Sequence, residues 1–271
     1  MMVDVWMALT RRRWWAVPGI AVATTLMALL SLDSMALPHS HAVINQWDVF
    51  LGVWDAPLMV AVIMPITFFS LIADLISPTM VERNGYFVMG RAHTRWQWWI
   101  HKVGALGVLT GIFVGLLWLG IALISIVTVR WTMAWSYLAS ATQMHYPGGL
   151  SPVQLTQPPP QIMALITVLV AAGLYAWGLV VVVVGWITRK AIWGWVTGVI
   201  LGMFSYGLWM VHGTAAMWVW APLLQLLLNV HQGFHASMPA GPLLWQSFVV
   251  DGVGWVIAAA LGFVVLRRRV L

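Results

Sequence analysis

Two carboxylates invite a chemical reading because each sits where a carboxylate is expensive. Asp74 and Asp251 lie inside or at the edge of long apolar runs, and an ionisable group at membrane depth is a functional candidate by default. Asp74 stands near the end of its run that faces Arg95 and Lys102, either of which would neutralise it and leave it a topological charge. Asp251 is a few residues into its run from the other side, where water is expected to reach it. Six histidines (His39, His41, His145, His212, His231 and His235) gather outside the apolar runs. His231 and His235 have the i,i+4 spacing that chelates a metal on a helix. Gly233 between them weakens any helix there and no third ligand is evident. The expectation is therefore exposed loop histidines and no metal.

The densest constellation is Pro78–Lys102, PTMVERNGYFVMGRAHTRWQWWIHK, which holds four of the thirteen basic residues (Arg83, Arg91, Arg95 and Lys102) and one of the seven acids, Glu82. Glu82 near the start of a short helix complements its dipole, and Gly85 permits a tight turn or a close approach. Tyr86, Phe87 and Met89 offer apolar anchors for a groove. Arg91 and Arg95, four apart, suit acidic groups of a partner or lipid phosphates. A plainer reading is that these residues fix topology and snorkel to head groups. A solvated basic island of this length between apolar runs is expected to dock a partner protein.

The elements that must position these residues follow from composition. The chain is 62% hydrophobic and 7% charged over 271 residues, against about 25% charged in a soluble domain. So little charge cannot cover a soluble surface, and an all-α, polytopic membrane protein forming one transmembrane domain follows. The absence of cysteine excludes disulfides and thiolate metal sites. The excess of Lys and Arg flanks apolar runs, as topology demands, and does not indicate nucleic acid. Residues 1–15 have the spacing of a short interfacial helix. Six spans are placed near 14–32, 56–77, 103–129, 161–187, 191–211 and 246–266, each near the 20 or so residues that cross a hydrocarbon core. Twelve basic residues then fall on one side and only Arg130 on the other, which places both termini in the cytoplasm. No small-residue cleavage site follows Arg11–Arg13, so the first span is expected to be retained. The run 215–230 (AAMWVWAPLLQLLLNV) is too apolar for open solvent and short for a span; with Pro222 inside it, a re-entrant or interfacial segment is expected. Gly107, Gly111 and Gly115, and likewise Gly194, Gly198 and Gly202, form small-residue faces suited to close helix packing within the chain.

Asp74, Glu82-Arg83-Asn84-Gly85, Thr94-Arg95, Trp98-Trp99 and Lys102 together resemble the region between the second and third spans of ABC-2 type transporter permeases. There an acidic residue and a glycine precede a short helix, and a Ser/Thr-Arg pair and a lysine open the next span. Tyr86 stands where a small residue is commoner, and His93-Thr94 where Pro-Val-Ser often stands. The local match covers about 30 residues; six spans, cytoplasmic termini and an apolar segment before the last span extend it. The resemblance implies an ABC-2, type V exporter-like architecture in the plasma membrane. Residues Glu82, Arg83, Gly85, Tyr86, Phe87, Met89, Arg91 and Arg95 would belong to a coupling helix that docks a cytoplasmic ABC ATPase. It also implies a second permease subunit, identical or paralogous, contact with membrane lipid, and export of a peptide, lipid or drug-like substrate. The chain has no GxxxxGK[ST] loop, no His-Glu-x-x-His and no GxSxG elbow, so it is expected to be no enzyme and to hold no cofactor, ATP being bound by the partner. The competing reading is a non-transporting immunity or sensory subunit that uses the 78–102 loop as a docking tab.

Overall fold

The computed structural model describes residues 2–36, 43–73, 75, 94–136, 138–139, 152–211, 215–218, 220–234 and 241–269. Every regular element among them is helical, and a lone bridge between Asn45 and Arg130 is their one β-type pairing. Five stretches are long and apolar enough to cross a membrane: Arg12–Ser34, Arg95–Thr128, Pro159–Ile187, Ala191–Met210 and Leu244–Arg267.

Helix α1 (Met2–Leu9) occupies the expected N-terminal position and leaves Trp6 exposed. A turn at Arg12–Trp15 leads into α2 (Ala16–Ala36). Helix α2 is apolar all round, as a lipid-facing helix must be. Its buried line is mostly small, Val17, Ala21, Thr24, Thr25 and Ala28, with Leu32 at its end. The two hydroxyls return to carbonyls one turn back, which satisfies them inside the helix. Small residues let backbones close up where no hydrophobic force draws helices together; a Cβ on Gly120 would come within 2.6 Å of the Ala21 Cβ.

The second span departs from the straight helix expected over 56–77. It begins earlier, as α3 (Gln46–Trp54), and bends by 54° before a second piece, Met59–Ile72, whose regular part is α4 (Met64–Ile72). Among the described residues a sixth crossing exists only if this bent pair counts as one. The expected spans at 14–32 and 56–77 leave 33–55 as the loop between them, but Val49, Phe50, Val53 and Trp54 are helical and buried. Two prolines explain the shape. Pro57 disfavours helical geometry at Ala56 and so separates α3 from the second helical piece. Pro65 has no N–H to give to the preceding turn, and Met59–Ile63 relaxes into a wider π turn in which Met64 N–H reaches the Met59 carbonyl.

Helix α5 (Arg95–Thr128) also starts earlier than expected, with Thr94 as its cap, accepting from the Gln97 N–H. Helix α6 (Pro159–Ile187) is the most buried and packs against α4, α5, α7 (Ala191–Met210) and α8 (Leu244–Arg269). The α7 glycine face is used within the chain: Gly198 lies on the Phe69 ring, Gly202 on the Ala61 carbonyl and Gly194 on α6. On α5, by contrast, Gly111 and Gly115 face open space. Between α7 and α8, residues 221–231 form two tight turns, Leu224–Leu226 and Leu228–Val230, buried throughout. They plug the bundle against α6, α7 and the π turn.

Candidate functional site

The helices gather most of the basic residues at one end and buried acids among amides and hydroxyls at the other. At the basic end, the first two turns of α5 hold together three other helices. Arg95 Nη1 donates to the Arg267 carbonyl of α8 at 3.5 Å. Trp99 Nε1 donates to the Ala259 carbonyl at 3.1 Å, and a Cβ on Gly262 would overlap the Trp99 ring. On α6, Trp186 stacks on Trp99 with centroids 5.5 Å apart and meets Trp98 at 5.8 Å. Lys102 lies over the Trp98 ring at 5.4 Å and makes a buried ion pair with Asp4 of α1. Arg13 crosses to the second span, donating to the Ser70 carbonyl at 3.1 Å.

Lys102, one of the two residues expected to face Asp74, pairs with Asp4. Asp74, Glu82, Arg83, Gly85, Tyr86, Phe87, Met89 and Arg91 lie outside the described residues. Of the residues singled out in the loop for docking, the structure places Arg95, at the root of a rigid helix.

The opposite end is built from the break in the second span. Asn45 and Asp48 cap α3 reciprocally: the Asn45 side chain accepts from the Trp47 and Asp48 N–H groups, and Asp48 Oδ2 accepts the Asn45 N–H at 2.8 Å. Asp48 Oδ1 accepts the Ser136 hydroxyl at 2.6 Å, so both its oxygens are used. The Gln46 amide nitrogen and Trp47 Nε1 both donate to the Thr132 carbonyl, tying α3 to the segment after α5.

Seven residues on, at the bend, Asp55 is buried and neither carboxyl oxygen has a hydrogen bond of normal geometry. The backbone N–H groups of Leu228 and Asn229 face it from the plug. The Asn229 amide nitrogen donates to the Asp55 carbonyl at 3.3 Å, and the Asn229 side-chain oxygen is itself buried without a hydrogen bond.

The histidine expectation is overturned at His231, which is fully buried. Its Nδ1 is 3.2 Å from the Leu228 carbonyl and its Nε2 is 2.7 Å from Ser247 Oγ on α8. A carbonyl only accepts, so Nδ1 carries the proton and Nε2 accepts the serine hydroxyl. Burial holds the imidazole below its ordinary value, against the opposing pull of the Leu228 and Leu227 carbonyls. One helical turn from Ser247, Asp251 is also buried and not open to water as expected: Oδ1 accepts Trp177 Nε1 at 2.9 Å, and Oδ2 has no hydrogen bond. No three His, Asp or Glu converge on a metal position among the described residues.

Three acids escaped sequence reasoning. Asp48 had a signal, an Asn-x-x-Asp pattern before an apolar run, which is a capping box. Asp55 had another in the Pro57 just beyond it. Asp4 had none, since its partner is 98 residues away.

The chain is thus an all-helical protein with several apolar helices of membrane-spanning length. Comparison with known proteins finds no matching family model, no matching curated protein and no matching solved structure.

Proposed function

We propose that the chain is the permease subunit of an ABC-2 type ATP-binding cassette exporter in the plasma membrane, with both termini cytoplasmic. The 78–102 loop would dock a separate ATPase, whose ATP-driven closure reorients the helices around a peptide, lipid or drug-like substrate. A second permease subunit completes the working unit.

The observation that carries this reading is the clamped start of α5. At 1.5 Å per residue, its 34 residues reach about 51 Å against a hydrocarbon core of about 30 Å. Residues 95–102 therefore form an arm continuous with a membrane-crossing helix, and this arm is the C-terminal part of the family-like 78–102 stretch. Trp99, Arg95 and Lys102 attach it to α6, α8 and α1. A push delivered at Thr94 is shared by four helices, as a coupling element requires.

A tagged full-length chain purified from its native host should bring down an ATPase, and Glu82→Ala or Arg95→Ala should weaken that capture and the export phenotype together. Trp99→Ala separates transmission from docking, because it should keep the ATPase and lose export. Absence of any ATPase, with export intact in Glu82→Ala and Arg95→Ala, overturns the reading.

A further inference from the structure

The bend at Asp55 carries a second site, independent of whether the chain docks an ATPase. A buried carboxylate needs donors or a cation, since stripping an unpaired charge of water is among the costliest things a fold can do. Asp55 has no cationic partner among the described residues. The elements packed on the bend bring few titratable or charged groups. Asp48 on α3 is committed to Asn45 and Ser136, and His231 on the plug to Leu228 and Ser247. Helix α2 contributes Asp33, which is exposed. Helices α6 and α7 contribute Tyr175 and Tyr206, Arg130 follows α5 and pairs through its backbone with the far, N-terminal end of α3, and the basic groups within α5 (Arg95, His101 and Lys102) stand at that helix's other end. The C-terminus of α3 and the N-terminus of the next helix act on Asp55 with opposite sign, so the dipoles give no net rescue.

Asn229 makes an anion there harder to accept. Its amide nitrogen is spent on the Asp55 carbonyl, which fixes which end of the amide is oxygen; a flipped amide would set oxygen against oxygen. Its side-chain oxygen is left as an acceptor with nothing to accept, on a residue whose backbone N–H faces the same carboxyl. An ionised Asp55 has the Leu228 and Asn229 backbone N–H groups facing it, but it leaves the Asn229 side-chain oxygen without a donor. A protonated one supplies the missing donor. The buried oxygens expose no surface to a water-sized body, so a proton fits where water or a hydrated cation does not.

We propose that Asp55 and Asn229 form a proton-binding site at the bend of the second span. The Asp55 carboxyl is held protonated and donates to the Asn229 side-chain oxygen, and loss of the proton opens the 221–231 plug. The step balances simply: one O–H bond of the carboxyl breaks, its proton passes to water, the electron pair stays on the carboxylate, and nothing is oxidised or reduced. The ionised group cannot remain in its dry shell, and the route to solvation is displacement of the plug segment that seals it. The same site then acts as a latch set by proton occupancy.

Two measurements on the full-length chain in lipid test this. In infrared difference spectra at neutral pH, Asp55→Asn should remove a protonated-carboxyl C=O band, and Asn229→Val should keep the band but move it to higher frequency as the acceptor is lost. Asp251→Asn serves as the control that separates the other buried acid. Loss of carboxylate bands in Asp55→Asn, or no movement in Asn229→Val, overturns the site. For the latch, Val230→Cys places the chain's one thiol on the plug, and maleimide labelling reads its opening. At alkaline pH, labelling should run several-fold faster with Asp55 present than in the Asp55→Asn background at the same pH, which cancels the ionisation of the thiol itself. Equal rates in the two backgrounds overturn the latch, and a misfolded Asp55→Asn protein leaves the Asn229→Val band shift to decide the site.

Discussion

The two ends of the bundle solve one problem, a charge-bearing group inside an apolar protein, in two different ways. At the basic end Lys102 is buried with a counter-ion, Asp4, and lies across an indole face. At the other end Asp55 is buried with neutral amides for company, and Asp251 with an indole N–H. The first arrangement is electrostatically closed and brings together helices that are distant in sequence. The second leaves oxygens without hydrogen bonds beside a bend. A closed pair suits a structural joint, and an open one suits a place where something must be bound or released.

The comparison breaks most sharply at the ion pair. Lys102→Met strands Asp4 and should cost about 3–5 kcal/mol of stability, whereas Asp4→Leu combined with Lys102→Met should recover most of it; thermal unfolding in detergent of the two single variants and the double variant reads both. At the other end, Ser136→Ala removes a hydroxyl from the capped Asp48 and should cost about 1.5–3 kcal/mol, since that carboxylate keeps only its backbone partner. Back at the basic end, Gly262→Ala drives a methyl into the Trp99 ring and should cost about 1–3 kcal/mol, with a change in tryptophan emission if the Trp99–Trp186 stack is what yields.

The smallest effect is a pH slope. His231 folds neutral with a depressed proton affinity, while the unfolded chain takes its proton near the ordinary value of 6.5. The unfolded state therefore binds more protons below that pH, and stability is complete above it and falls as the solution is acidified. The slope is at most about 1.4 kcal/mol per pH unit. Thermal unfolding between pH 7.5 and 5 should show it, and His231→Gln should flatten it.

What the sequence revealed was governed by distance along the chain. Five long apolar helices and the buried segment after α7 were legible, because hydropathy and Pro222 are local signals. The bend was half legible: Pro57 and Pro65 were plain, but the apolar pattern of α3 (QWDVFLGVW) was hidden by its own acid and by a preceding histidine-rich loop. The ion pair was not legible, because nothing local joins Asp4 to Lys102. His231 looked like a loop histidine for the same reason: its burial is conferred by Ser247 on another helix. The glycine faces of α5 and α7 looked identical in sequence, and only the fold shows that α7 uses all three positions while α5 leaves two open.

The uncharged part of α5, residues 103–128, measures about 39 Å along its axis, some 9 Å more than an average bilayer interior. Such hydrophobic mismatch is absorbed by leaning the helix or by thickening the lipid around it. The two leading turns share that helix axis, so a lean at the membrane is a sideways swing of residue 95. Lipid chain length thereby becomes a setting for where the arm points, felt equally by the helices fastened to it.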